Sequence, residues 1–136
     1  MIVVDVNTIA YLWIPGVLSK WAEAVLARDP DWVSSILWRS EFRNVLTGYR
    51  RRGLLDTATI ARCLAGAEAQ LAGREYVVPA ALVLAKTAIS TCSAYDCEYI
   101  ALADDLQTVL VTSDRQLVRE FPGLTTSLQH FAAAPP

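Results

Sequence analysis

Two short runs without a polar residue, Ile2-Val3-Val4 and Val109-Leu110-Val111, constrain this chain more than any other feature. A strand with one wet face alternates apolar and polar side chains. A strand covered on both faces reads as a continuous, mostly β-branched run. Both runs therefore predict buried parallel strands, with outer bounds Ile2–Val6 and Thr108–Thr112. Helical spacing marks Val17–Arg28, Ile36–Arg52 (stopped by Gly53), Asp56–Leu71 (stopped near Gly73), a segment opened by Pro79 and running to about Ser90, and Tyr95–Leu106. Shorter strands are expected at Trp32–Ser35, Tyr76–Val78 and Leu124–Leu128, with a turn or short helix over Asn7–Trp13 and another short helix ending at Phe121. Strands alternating with helices predict a three-layer α/β sandwich, a central, mainly parallel sheet flanked by helices. With 136 residues and no repeat, linker or low-complexity segment, one domain is expected over residues 1–131, followed by a flexible small-residue tail, 132–136.

Four acidic residues interrupt this apolar pattern. Asp5 follows the first strand and Asp114 the strand Thr108–Thr112, at the strand ends where open parallel sheets bind ligands. Glu41 lies about 40° around the helix from Val45, inside the stripe Trp38, Phe42, Val45, Leu46, Tyr49. Asp96 heads the stripe Tyr99, Ile100, Ala103, with Glu98 and Asp105 on roughly the opposite side. Each has an ordinary alternative: Asp5 and Asp114 stand where helix caps stand, Glu41 suits a Glu–Arg pair, and Asp96 completes a capping box with Ser93. Together they predict something else. Four converging carboxylates repel and take up protons unless a hard cation joins them, and Mg2+ or Mn2+ favours oxygen ligands.

Other chemistries find little footing. Three cysteines (Cys63, Cys92, Cys97) without paired spacing and a single histidine, His130, argue against a disulfide framework and a zinc site. Cys97 has no histidine near it and reads as a small core residue. Gly48 and Gly53 share the phosphate-loop spacing, but Leu54-Leu55 follows where Lys-Ser/Thr is required. The N-terminus lacks a basic region and Asp5 breaks its apolar stretch, so it does not read as a signal peptide, and no apolar run is long enough to span a bilayer; the unpaired cysteines make the reducing cytoplasm the expected compartment.

The segments Val4-Asp5-Val6-Asn7, Ser40-Glu41 with Asn44 and Leu46, Tyr95-Asp96 leading into Tyr99-Ile100-Ala101-Leu102-Ala103, and Leu110-Val111-Thr112-Ser113-Asp114-Arg115 with Leu117 resemble the PIN domains, specifically the VapC-like toxins of prokaryotic toxin–antitoxin pairs. The resemblance runs in order over nearly the whole chain; Asp56–Ser90 matches only in being helical. It implies a PIN-like fold, RNA cleavage with Mg2+ or Mn2+, a homodimer and a cognate antitoxin. The family's acidic quartet falls on Asp5, Glu41, Asp96 and Asp114, and Thr112 matches a site-lining hydroxyl.

Phosphodiester hydrolysis by metal-activated water is the chemistry this set suits. Asp5, Asp96 and Asp114 are the expected direct ligands, with Glu41 at a second ion or holding the attacking water. Asn7, Thr112 and Ser113 are expected to support them. Net charge is −2, so an RNA substrate must be guided locally. Arg115 is the expected phosphate contact, ahead of Arg39, Arg43, Arg119 and the run Arg50-Arg51-Arg52, whose ordinary role is at a helix C-terminus. The four tryptophans (Trp13, Trp21, Trp32, Trp38) are expected in the core or at subunit contacts more than stacked on bases. Two rivals remain: a non-catalytic binding or scaffold module of the same fold, and a metal-dependent phosphatase with Asp5 as nucleophile. The latter usually wants a second acid where this chain has Asn7.

Overall fold

Val3 and Val4 are wholly buried, on opposite faces of the same strand. A computed structural model describes residues 1–135; Pro136, the last residue of the expected tail, lies outside the described residues. The chain runs β1 (Ile2–Val4), α1 (Val6–Trp13), α2 (Ser19–Arg28), β2 (Trp32–Ser35), α3 (Trp38–Arg51), α4 (Thr57–Leu71), β3 (Glu75–Tyr76), α5 (Ala80–Ala88), α6 (Ala94–Asp105), β4 (Leu110–Val111), α7 (Arg115–Glu120), β5 (Thr125–Thr126) and α8 (Leu128–Ala133). The five strands form one sheet in the order β3-β2-β1-β4-β5. Every pairing is parallel, with Val3 opposite Val33 on one side and Leu110 on the other.

Alternation along the strands divides the core in two. Ile2, Val4, Trp32 and Val111 pack with α1, α2, α3, α4 and α8. Val3, Val33 and Leu110 pack with α5, α6 and α7. The apolar runs are thus unbroken because each strand is covered on both faces. Trp32 and Trp38 are fully buried, as expected for core residues. Trp13 lies so close to α4 at Gly66 that an added Cβ would collide with its ring. Gly53, in the left-handed region at φ 69°, follows the end of α3.

Several elements are shorter than the sequence predicts, and caps explain why. The first strand stops at Val4 because Asp5 is the N-cap of α1, accepting from the Thr8 amide. The strand expected over Leu124–Leu128 keeps only Thr125–Thr126, because Ser127 caps α8 by accepting from the His130 amide. Helix α8 extends to Ala133, two residues into the expected tail, and the Arg28 guanidinium donates to the carbonyls of Ala134 and Pro135.

The sheet grows outward from β1 in one direction through β2 and β3, then in the other through β4 and β5. The loop after β1 leads to α1 on one face, and the loop after β4 leads to α7 on the other. A crevice opens between two such loops, at the carboxyl edge of the sheet. Asp5 and Asp114 are the residues that flank it.

Candidate active site

Asp5 is held from three directions. Its Oδ1 accepts from the Thr8 amide and lies 3.0 Å from the Thr8 hydroxyl; its Oδ2 accepts from the Thr112 hydroxyl at 2.5 Å. Thr112 Oγ1 also accepts from the Asp114 amide at 3.0 Å, so one buried hydroxyl joins the ends of β1 and β4. Asp114 caps α7, its Oδ1 accepting from the amides of Gln116 and Leu117. Both aspartates are therefore caps, as their ordinary reading predicted, and both also face the crevice. Capping fixes where these carboxylates point and leaves their charge uncompensated.

Glu41, in the first turn of α3, accepts from the Tyr99 hydroxyl at 2.6 Å. That bond accounts for a carboxylate inside an apolar stripe: Tyr99 on α6 is 1 % exposed and brings its hydroxyl to the helix interface. Asp96 lies in the first turn of α6, where its amide donates to the Ser93 cap. Glu98, expected on the far side of α6, accepts instead from the Ser35 hydroxyl at the end of β2. The wheel misplaces it because α6 is buried over most of its circumference, at Cys97 and Tyr99 to Ala103.

The four predicted acids, Asp5, Glu41, Asp96 and Asp114, line one cavity of about 430 Å3, together with Asn7 and Asn44. Among the described residues none of the four forms an ion pair. Burial raises the Asp5 carboxyl above its ordinary value, against the bonds from Thr112 and Thr8, and the charge of Asp96 adds to the rise. Glu41 is raised by burial and by Asp96, Asp5 and Glu98, with Tyr99 opposing. Asp96 is raised by burial and by Asp114. The acids thus strain against one another, and the cavity supplies no cation of its own. Among the described residues, no three acid, histidine or cysteine side chains are grouped tightly enough to enclose an ion by themselves. The donor set suits a hydrated hard cation, held by one or two carboxylates and by water.

A family model for the PIN domain matches residues 2–121. The chain belongs to the PIN domain family. The PIN domain here is 30% identical over 128 residues to Ribonuclease VapC3 of Pyrobaculum aerophilum, covering 92% of this chain and 98% of that protein. Its fold resembles the crystal structure of PAE2754 from Pyrobaculum aerophilum, with a TM-score of 0.75, 22% identity, and coverage of 96% of this chain and 92% of the other. It also resembles FitAcB from Neisseria gonorrhoeae, with a TM-score of 0.73, 21% identity, and coverage of 96% and 99%.

The remaining expected site residues divide. Asn7 lines the acidic cavity of this PIN domain, and Thr112 reaches it through Asp5. Ser113 and Arg115 border a neighbouring cavity instead, and the Ser113 hydroxyl shares a hydrogen bond with Tyr11. Arg39 is occupied elsewhere, clamping Glu75 with two bonds of 2.6 and 2.8 Å. Cys97 is fully buried, and burial raises its thiol, so it is no nucleophile. Sequence reasoning overlooked Thr8, Tyr99 as a hydrogen-bond donor, and Ser35 with Glu98. Only Thr8 had a usable signal: it stands three residues after a capping aspartate.

Proposed function

We propose that this PIN domain is a metal-dependent endoribonuclease, the toxin of a toxin–antitoxin pair, that hydrolyses RNA phosphodiester bonds in the cytoplasm. The observation that carries the reading is the convergence of Asp5, Glu41, Asp96 and Asp114 on one cavity with no basic partner. Kinship to a protein named as a VapC ribonuclease over nearly its whole length supports the substrate class.

Asp5, Asp96 and Asp114 are the residues that would hold Mg2+ or Mn2+, directly or through water, and Glu41, in the same cavity, would orient the attacking water or hold a second ion. Such an ion lowers the pKa of a bound water and offsets charge on the phosphate and the departing oxygen. Thr112 and Thr8 hold Asp5 in one orientation and favour its ionised form; Tyr99 does the same for Glu41. Asn7 and Asn44 supply uncharged polar groups beside the acids without adding repulsion. The phosphatase reading fits less well, since both Asp5 oxygens already accept hydrogen bonds and the residue is only 5 % exposed.

Three partner and setting assignments accompany this reading. Val77, Leu84 and Ile89, on and beside α5, are exposed apolar side chains, which supports a homodimer; a monomer by light scattering would contradict it. An antitoxin would neutralise the acidic cavity with a basic segment. The three cysteines are unpaired and buried, which suits a reducing compartment, and among the described residues no helix is long and apolar enough to cross a membrane. The direct test incubates purified protein with structured RNAs, with and without Mn2+, beside Asp96→Asn. Cleavage that needs both Mn2+ and Asp96 supports the assignment; a folded protein indifferent to both is the scaffold module.

A further inference from the structure

We propose that the cavity beyond Asp114 is a second RNA subsite, binding the phosphates of the strand next to the one being cleaved. This deepens the ribonuclease reading and rests on it. The cavity is about 560 Å3, and its lining includes Ser113, Arg115, Arg119, Ser127 and Gln129 with the apolar Leu18 and Val118. It is the electrostatic opposite of its neighbour. The first cavity carries four carboxylates and no cation; no acidic residue lines the second, which has two guanidinium groups.

Arg115 and Arg119 stand four residues apart on α7, so they occupy the same helix face. Like charges at this spacing disfavour the helix unless an anion lies between them. Both side chains are exposed, and among the described residues neither forms an ion pair. Arg39, Arg74 and Lys86 are paired with carboxylates, so they are less available to phosphate. The amides of Gln116 and Leu117 are already taken by Asp114, so attraction comes from the guanidinium groups and the exposed Gln129 amide.

The two cavities are lined by consecutive residues of one segment. Asp114 borders the acidic cavity, while Thr112, Ser113 and Arg115, on either side of it in the chain, border the basic one. A strand with one phosphate at the acids would, on this proposal, set a neighbouring phosphate at Arg115 and Arg119. A protein of net charge −2 gains little from long-range attraction to RNA, so local phosphate contacts must position the strand.

The test uses the Asp96→Asn protein with Mn2+, so that RNA is bound but not cleaved, and follows fluorescence anisotropy of a labelled single-stranded oligonucleotide against monovalent salt. Removing two phosphate contacts by Arg115→Ala with Arg119→Ala should flatten the slope of log K against log salt by about 1.4. Between about 50 and 200 mM salt, that is roughly a sevenfold smaller loss of affinity than the parent shows. Lysines at both positions should restore most of the slope. Arg62→Ala, on an exposed part of α4, should leave it unchanged. An unchanged slope in the double alanine variant, in a protein that otherwise cleaves RNA, overturns the subsite alone. A wild-type protein that neither binds nor cleaves RNA overturns the ribonuclease reading and the subsite with it. If the double variant binds RNA normally but no longer retains a co-expressed antitoxin, the arginines form a protein contact and the subsite is wrong.

Discussion

Replacing Thr112 by valine keeps the shape of a fully buried side chain and deletes the hydroxyl that joins Asp5 to the Asp114 amide. A hydroxyl donating to a carboxylate contributes about 1.5–3 kcal/mol, and an amide left without an acceptor costs a further ~1–3 kcal/mol where water cannot reach. Asp114 is only partly buried, so water recovers some of the second loss. The two bonds share one atom and do not add. The combined cost is about 2–4 kcal/mol, on the order of 10 °C in melting temperature for a chain of this size. Serine is the complementary change: it keeps the hydroxyl and loses one methyl group, at about 1 kcal/mol. Thermal melts and Mn2+-dependent RNA cleavage should therefore rank wild type first, Thr112→Ser second and Thr112→Val last in both measurements. If serine is as damaging as valine, Thr112 acts through its methyl group, and the bridge between β1 and β4 contributes nothing to the site.

Tyr99→Phe removes the donor to Glu41 without opening a cavity. The bond from Tyr99 holds the Glu41 carboxyl down, so its loss should raise that carboxyl further and move the acid limb of the cleavage–pH profile upward; an unmoved limb would leave Tyr99 a packing residue only. A second prediction concerns pH and metal together. Asp5, Glu41 and Asp96 have carboxyls raised above their ordinary 3.8 to 4.5, so the folded chain binds more protons than the unfolded one above that range. Their contribution to stability is complete below about pH 4 and is lost as pH rises through the folded values. A cation competes with those protons, so the melting-temperature difference between Mn2+ and chelator should widen from about pH 4 towards 7. Glu75 and Glu120, whose carboxyls are lowered, work in the opposite sense but cancel in this difference. A gap that does not change with pH would place the ion elsewhere.

The sequence made the site legible where a carboxylate broke a strong pattern. Asp5 and Asp114 end runs that only a doubly covered sheet explains, and the switch between β1 and β4 brings those ends together. Glu41 was visible as an intrusion into an apolar stripe. Its partner was not, because a tyrosine in a stripe reads as core until the opposing helix is known. The face of Glu98 was unreadable for a related reason: α6 meets β1, β2, β4 and α5, so no side of it is clearly the outside. Strand lengths were overestimated wherever a cap followed directly, as at Asp5 and Ser127. Arg39 could not be told from a substrate contact, since its partner Glu75 lies 36 residues away and meets it only through the sheet.

The most direct test of a shared acidic cavity is the thermal stability of wild type and Asp96→Asn, each with chelator and with saturating Mn2+. Removing one charge from a repelling group should leave Asp96→Asn at least as stable as wild type in chelator. Mn2+ at about 100 times its Kd should stabilise wild type by about 2.7 kcal/mol, roughly 8–15 °C, and the variant by much less. Wild-type melts that coincide with and without Mn2+, or an Asp96→Asn variant that gains as much as wild type, would show that these carboxylates do not act as one cation site.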